Sequence, residues 1–234
     1  MWIFDSPKNY SEMVEKIAKS TFVISLFLLY FLTCMNSEFN SFMTQISFNV
    51  EYEFIGIKLN LALLYLPLLI GIAEHIFKIH DKISTLFGIR NRYDKYVIAA
   101  KILIICKIKR NIKKLDSHEV KEILSKAFYK YASSTNPVID QHYINLAINE
   151  WCWYWIVLDT TVLFLIIGIL FLVIKWSWFN LLVILAIFAF LLLTMKLIKL
   201  QAEVYTKEEI RVIFSDKERE DEIKKELKDA LSCK

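Results

Sequence analysis

Helix breakers are scarce in this chain. Its 234 residues hold only 4 glycines and 3 prolines. No Gly/Ser/Pro-rich stretch stands between segments as a flexible linker, and little is available to end a helix. The signatures of chemistry are missing too. There is no Gly-rich phosphate loop, GxGxxG turn, GxSxG elbow or HExxH pair, so nucleotide, dinucleotide, hydrolase and zincin functions have no sequence support. The 4 cysteines (Cys34, Cys106, Cys152, Cys233) contain no CxxC pair. Neither a disulfide framework nor a thiolate zinc site is expected. Arginine is rare, with 24 lysines against 5 arginines; together with abundant Ile and Asn this bias points to an AT-rich prokaryotic genome.

Charge is absent from four stretches: Ser20–Asn36, Leu59–Ala73, Thr160–Ile174 and Trp176–Met195. A bilayer core about 30 Å thick needs roughly 20 helical residues, fewer when long end side chains reach back to water. The shorter runs extend past Lys58 and Asp159. The expected fold is an all-α integral membrane protein with four transmembrane helices, at 20–36, 58–77, 153–175 and 178–198. A small helical cytosolic insert and a short β element in the outer loop complete it.

Lysine sorting sets the orientation. Residues 1–19 carry three lysines, whereas 37–57 carry three glutamates (Glu38, Glu51, Glu53) and no base. Residues 78–150 carry fourteen Lys/Arg against seven acids, and 196–234 carry ten Lys/Arg. Positive charge is retained on the cytoplasmic side, which places both termini inside an inner (plasma) membrane. The expected division is a cytosolic amphipathic N-terminus (1–19), an extracytoplasmic loop (37–57), a basic helical cytosolic domain (78–150) and a cytosolic helical tail (199–234). The net charge of +4 sits mostly in the middle segment, beside an anionic leaflet; it is no signal for nucleic acid. Phe31-Leu32-Thr33-Cys34 resembles a lipoprotein cleavage site, but Thr precedes the cysteine and residues 1–19 carry as many acids as bases, so a retained span is expected.

Local patterns refine this layout. Met13, Ile17 and Ala18 predict a short amphipathic helix over 9–19, lying on the inner membrane face. Ile46, Phe48, Val50, Tyr52 and Phe54 alternate with polar residues, a strand pattern; Ile57, Leu59 and Leu61 resume it after Gly56. Asp116 with Glu119 predicts a capped helix start, with Val120, Ile123, Leu124, Ala127 and Phe128 on one face. Asn136-Pro137 predicts another, running unbroken through Trp151 into the third span. Thr206 with Glu209 predicts a third start. After Asp216, Ile223, Leu227 and Ala230 or Leu231 form a narrow seam suited to docking on the middle segment or on another copy.

Few residues invite a functional reading. Glu74 and Asp159 lie inside or at the edge of spans, with Lys196 at similar depth. Intramembrane charges are expensive and are functional candidates. They either pair with Lys78, Lys196 or Lys199 to lock helices or line a pore mouth. These three are the candidate pore or coupling residues. Lys107, Lys109, Arg110, Lys113 and Lys114 form a basic patch facing lipid headgroups or an anionic ligand. His75 and His80 are five apart, on different faces of a straight helix, and read as a polar collar with Glu74 and Asp81. Arg110 and His118 are too far apart for the RNA-cleaving R-x₄₋₆-H pattern. Trp151, Trp153 and Trp155 at one end of the third span, and Trp176 and Trp178 at the other, read as interfacial anchors.

The segment Tyr52–Leu61 leading into Ala62–His75 resembles outer-strand-into-helix segments of bacterial membrane proteins. The whole arrangement, four spans around a small helical insert, is similar to small membrane components of bacterial anti-phage systems. That resemblance is architectural and assigns no residue a role. The function expected is a non-enzymatic oligomeric membrane protein coupling the cytosolic helices to the bilayer, either as a pore-forming or perturbing effector or as a scaffold or sensor recruiting a cytosolic partner. An ion channel or transporter using Asp159 and Glu74 is the alternative, and a lipid-modifying enzyme a third. No cofactor, metal or catalytic residue is expected; membrane lipids, further copies of the chain and a cytosolic protein are the expected partners.

Overall fold

The computed structural model of the chain describes residues 5–46, 51–54, 57–60, 62–134 and 137–232. The chain packs as two units. One is built from Val14–His80 and Cys152–Leu197, the other from Asp81–Trp151 and Ile198 onward with a short N-terminal piece. Three helices are long and apolar enough to cross a membrane: α1 (Tyr10–Met35), α8 (Gln141–Ile174) and α9 (Trp178–Ile213). The segment expected as a fourth span forms α3 (Ala62–Phe77), 16 residues or about 24 Å of helix. It reaches membrane length only together with α4 (Ile79–Phe87), across a 62° bend.

In the first unit, α1 begins where Asn9 accepts the Glu12 N–H at 2.9 Å and donates its amide to Glu12 Oε1 at 3.0 Å. No breaker interrupts it, so residues 9–19 are the first turns of α1 rather than a separate surface helix. Met13, Ile17 and Ala18 are buried. A helix absent from the sequence reading follows: α2 (Ser37–Ile46), started by Asn36, whose side chain accepts from the Glu38 and Phe39 N–H groups at 2.8 and 3.1 Å. Its Phe39 and Met43 pack with Leu29, Leu63 and Ile167. Ile46 therefore ends a helix instead of opening a strand. The alternating positions Phe48 and Val50, the Gly56 turn and the Asn136 cap lie outside the described residues. Four-residue segments β1 (Glu51–Phe54) and β2 (Ile57–Asn60) pair antiparallel, with Glu51 opposite Asn60.

Two glycines set close helix approaches here. A Cβ on Gly71 of α3 would lie 3.0 Å from Phe22 Cβ and 3.2 Å from the Ala18 carbonyl oxygen of α1. On Gly168 of α8 it would meet Ile184 of α9 at 3.3 Å. Small residues let backbones approach where no hydrophobic driving force separates protein from lipid.

The second unit is a helical bundle around a continuous apolar core. After Gly88, at φ +61°, come α5 (Ile89–Tyr93), a π turn over Asp94–Ala99 and α6 (Ala100–Ile105). A 3₁₀ turn, Ile112–Lys114, precedes α7 (Ser117–Leu124), which widens into a second π turn, Ser125–Tyr129. The capping box is present: Asp116 Oδ1 accepts from the Glu119 N–H at 2.7 Å and Glu119 Oε2 from the Asp116 N–H at 3.1 Å. Val120, Ile123, Leu124, Ala127 and Phe128 are all buried, as their spacing requires.

α10 (Lys217–Ser232) starts where Asp216 Oδ1 accepts from the Glu218 N–H. Its seam of Ile223, Leu227 and Leu231 enters the same core as Ile102, Ile123, Ile144 and Ile210. The tail thus docks on its own middle segment, through Leu231 rather than Ala230.

Two expected helix starts move. α8 begins at Gln141, not at Pro137, because the Val138 and Ile139 N–H groups donate to the Tyr131 carbonyl at 3.0 and 3.3 Å and hold the chain in a turn. Asp140 Oδ1 then accepts from the His142 N–H at 2.9 Å. From there α8 is unbroken to Ile174. Thr206 and Glu209 start nothing. They are buried within α9, and the Thr206 hydroxyl faces Tyr93. A Thr-x-x-Glu pair marks a helix start only where the preceding residues leave helical geometry, and here they do not.

Candidate functional site: a buried Glu–His–Asp cluster

Inside the first unit, three titratable side chains converge. Glu74 comes from the penultimate turn of α3, His80 from the start of α4 and Asp159 from the middle of α8. Their exposures are 1%, 0% and 4%. One ligating atom of each lies within 4.8 Å of the others.

The break between α3 and α4 creates this geometry. Lys78 lies between the helices at φ +46°, a left-handed conformation that lysine seldom adopts. On a straight helix, positions 74 and 80 point about 240° apart, since each residue turns 100°. The corner at Lys78 brings the imidazole back, so that His80 Nδ1 hydrogen-bonds Glu74 Oε1. The His80 ring packs against Trp155, with centroids 5.9 Å apart.

Asp159 is less well satisfied. Thr21 Oγ1 of α1 donates to its Oδ2 over a long 3.5 Å. Its Oδ1 is buried without a hydrogen-bond partner among the described residues. An uncompensated buried carboxylate costs several kcal/mol. Elsewhere on α1, the Ser20 hydroxyl is buried without a hydrogen-bond partner among the described residues, and Lys16, 1% exposed, sets its ammonium 4.5 Å from the centre of the Trp153 ring.

The residues singled out by sequence fare differently. Glu74 and Asp159 meet. Lys196 is exposed on α9 and stands outside the cluster. The side chain that joins the two acids in the cluster is His80. His75, its partner in the expected collar, is exposed. No spacing rule would have found His80, because the corner at Lys78 carries neither Gly nor Pro. The usable signal was chemical: a buried acid requires a nearby donor, and His80 is the first histidine after α3. Lys16 and Thr21 were missed because their positions in α1 look like an ordinary polar entry to a span.

The inner tryptophans pack inward. Trp155 is buried against His80, and Trp153 lies beneath Lys16. Trp151 meets Tyr93 edge to face at 4.4 Å. Interfacial anchoring therefore does not describe Trp155. Trp176 and Trp178, at the far end, are exposed.

The basic patch lies on the turn from α6 to α7. Lys107, Lys109, Arg110, Lys113 and Lys114 are all exposed. Arg110 also has a structural task, donating to the Leu231 carbonyl of α10 at 2.6 Å. Lys95 braces the same turn from within, donating to the carbonyl oxygens of Lys113 and Leu115 at 3.1 and 2.6 Å.

Comparison with known proteins gives a family. Residues 9–228 match the family described as the YmfE protein family. A protein of Escherichia coli (strain K12) described as "Uncharacterized protein YmfE" is 24% identical over 176 residues, which is 70% of each chain. No solved structure matches.

Proposed function

The chain belongs to the YmfE protein family, and we propose that it is a non-enzymatic, oligomeric inner-membrane protein that couples a cytosolic helical unit to the bilayer. In this reading α1, α3, α8 and α9 are four spans, both termini are cytosolic, and the β1–β2 hairpin belongs to the outer loop. The lysine distribution supports the orientation.

The observation that carries the coupling role is α8. Its 34 residues make one rod of about 51 Å. Ile144, near its start, is 2% exposed in the core of the helical bundle, and its later turns are almost wholly apolar. A partner or stimulus acting on the bundle therefore acts on a helix whose later turns form an apolar stretch of membrane length. The output is altered permeability, as for a defence effector, or recruitment of a cytosolic protein. The basic turn at Lys107–Lys114 faces acidic headgroups.

Overexpression in cells reporting membrane potential tests this. Depolarisation by the wild type, abolished by Ile148→Pro at unchanged membrane insertion, is the expected result for the permeability form. An intact potential with a cytosolic protein co-purifying moves the reading to recruitment; an intact potential with no co-purifying protein overturns coupling. Impermeant amine labels in intact cells must miss Lys113 and Lys225, both exposed on the helical unit; tagging of Lys113 defeats the orientation.

Ion transport is the second reading, favoured by the burial of Glu74 and Asp159 side by side. It predicts that Asp159→Asn stops flux in vesicles while the protein still assembles.

A further inference from the structure

We propose that Glu74, His80 and Asp159 form a binding site for one divalent first-row transition cation of the zinc class. The cluster offers one imidazole nitrogen and two carboxylate oxygens within 4.8 Å of one another. Metal–ligand bonds of about 2.0–2.2 Å put ligand atoms roughly 3.0–3.6 Å apart, so the set is completed by small side-chain adjustments, with the hydrogen-bonded His80–Glu74 pair opening to admit the ion.

Charge argues for a cation independently of distance. Two carboxylates at 1% and 4% exposure lie together, and like charges this close repel strongly in a medium of low dielectric. The His80–Glu74 hydrogen bond answers one of them. Asp159 Oδ1 is buried without a hydrogen-bond partner among the described residues, and a carboxylate oxygen of this residue lies within 4.8 Å of the other two donors. A dipositive ion with both carboxylates ionised and a neutral imidazole brings the cluster to zero. In the bound form Nδ1 holds the ion and the ring carries its one proton at Nε2; a second ring proton, where present, leaves to solvent.

The donor set also selects the ion. Imidazole with carboxylates suits zinc, cobalt, nickel, iron and manganese. The nitrogen disfavours magnesium and calcium, and the lack of sulfur disfavours copper(I). Three protein ligands leave a position for water or a fourth donor. Such an ion would fasten the α3–α4 corner to α8. This role is independent of the coupling proposed above and distinct from passage of a permeant ion, since a buried three-ligand site holds its cargo.

The test uses the full-length chain in nanodiscs, stripped with chelator and titrated with Zn²⁺ against a competing indicator. The expected result is one Zn²⁺ per chain. The exposed-histidine variant His75→Ala should bind unchanged, while His80→Gln and Asp159→Asn should bind at least about tenfold more weakly. Co²⁺ loading of the wild type provides a readout that needs no variant to fold: visible bands of a low-coordinate nitrogen–oxygen site, bleached by equimolar Zn²⁺. The proposal is overturned by a wild type that retains no Zn²⁺, as a proton-only cluster would. It is also overturned by unweakened binding in folded His80→Gln, or by a Co²⁺ spectrum identical to that of the aqueous ion.

Discussion

The Tyr93 hydroxyl joins two turns of α9 to α5 in the helical bundle: it is hydrogen-bonded to Thr206 Oγ1 at 2.8 Å and to the Ala202 carbonyl oxygen at 3.1 Å. Burial pushes its ionisation well above the usual tyrosine range. Removing the hydroxyl leaves Thr206, 2% exposed, without this partner. Tyr93→Phe should cost about 1–2 kcal/mol, read as a lower thermal midpoint of the solubilised protein. Thr206→Val should cost a similar amount, and the double variant clearly less than the sum of the two, because both remove one contact.

Asp94 gives the bundle a pH dependence. Burial raises its carboxyl from 3.8 to about 6, and Arg90, 4.0 Å away, offsets this only in part. A raised carboxyl favours the folded state below the unfolded pKa, and that contribution disappears as pH rises from about 4 through about 6. Asp94→Asn should therefore stabilise the protein at pH 7.5 by up to about 3 kcal/mol and change little at pH 4. Equal midpoint shifts at the two pH values would refute the assignment.

Leu227 is fully buried in the core that α10 shares with α6 and α7. Leu227→Ala should cost about 2–5 kcal/mol, whereas Glu226→Ala, whose carboxylate reaches Lys130 at 2.9 Å on the surface, should cost under about 1 kcal/mol. Limited proteolysis after Lys217 separates the two: cleavage should speed up markedly in the first variant only.

Gly71 leaves no room for a side chain against α1. Gly71→Ala forces its methyl to within 3.0 Å of Phe22 Cβ, and should destabilise the first unit by about 1–3 kcal/mol. Gly71→Leu should prevent recovery of monodisperse protein. An unchanged elution profile and thermal midpoint for both would show that α1 and α3 do not approach as described.

Much of this architecture was legible because apolar length and side-chain periodicity are local properties. The membrane-length apolar helices α1, α8 and α9, the Asp116–Glu119 cap and the seam of α10 all follow from spacing alone. What escaped depends on contacts distant in sequence or on breaks without a breaker. α2 needed Asn36 to be read as a cap while its neighbourhood looked extended. Thr206 and Glu209 imitate a helix start until the continuity of α9 is known. His80 joins Glu74 only because Lys78 takes a left-handed conformation that no residue type announces. The acids of the cluster were visible as misplaced charges, but their third member was not.

The cluster's composition also sets an order of events during synthesis. Glu74 and His80 emerge from the ribosome nearly together and can pair as soon as the α3–α4 corner forms. Asp159 arrives 79 residues after His80. Until α8 is in place the pair lacks its third member, and α8 then brings a further carboxyl, 4% exposed, to a closed interior. The cluster is therefore complete only when helices made far apart in synthesis have come together.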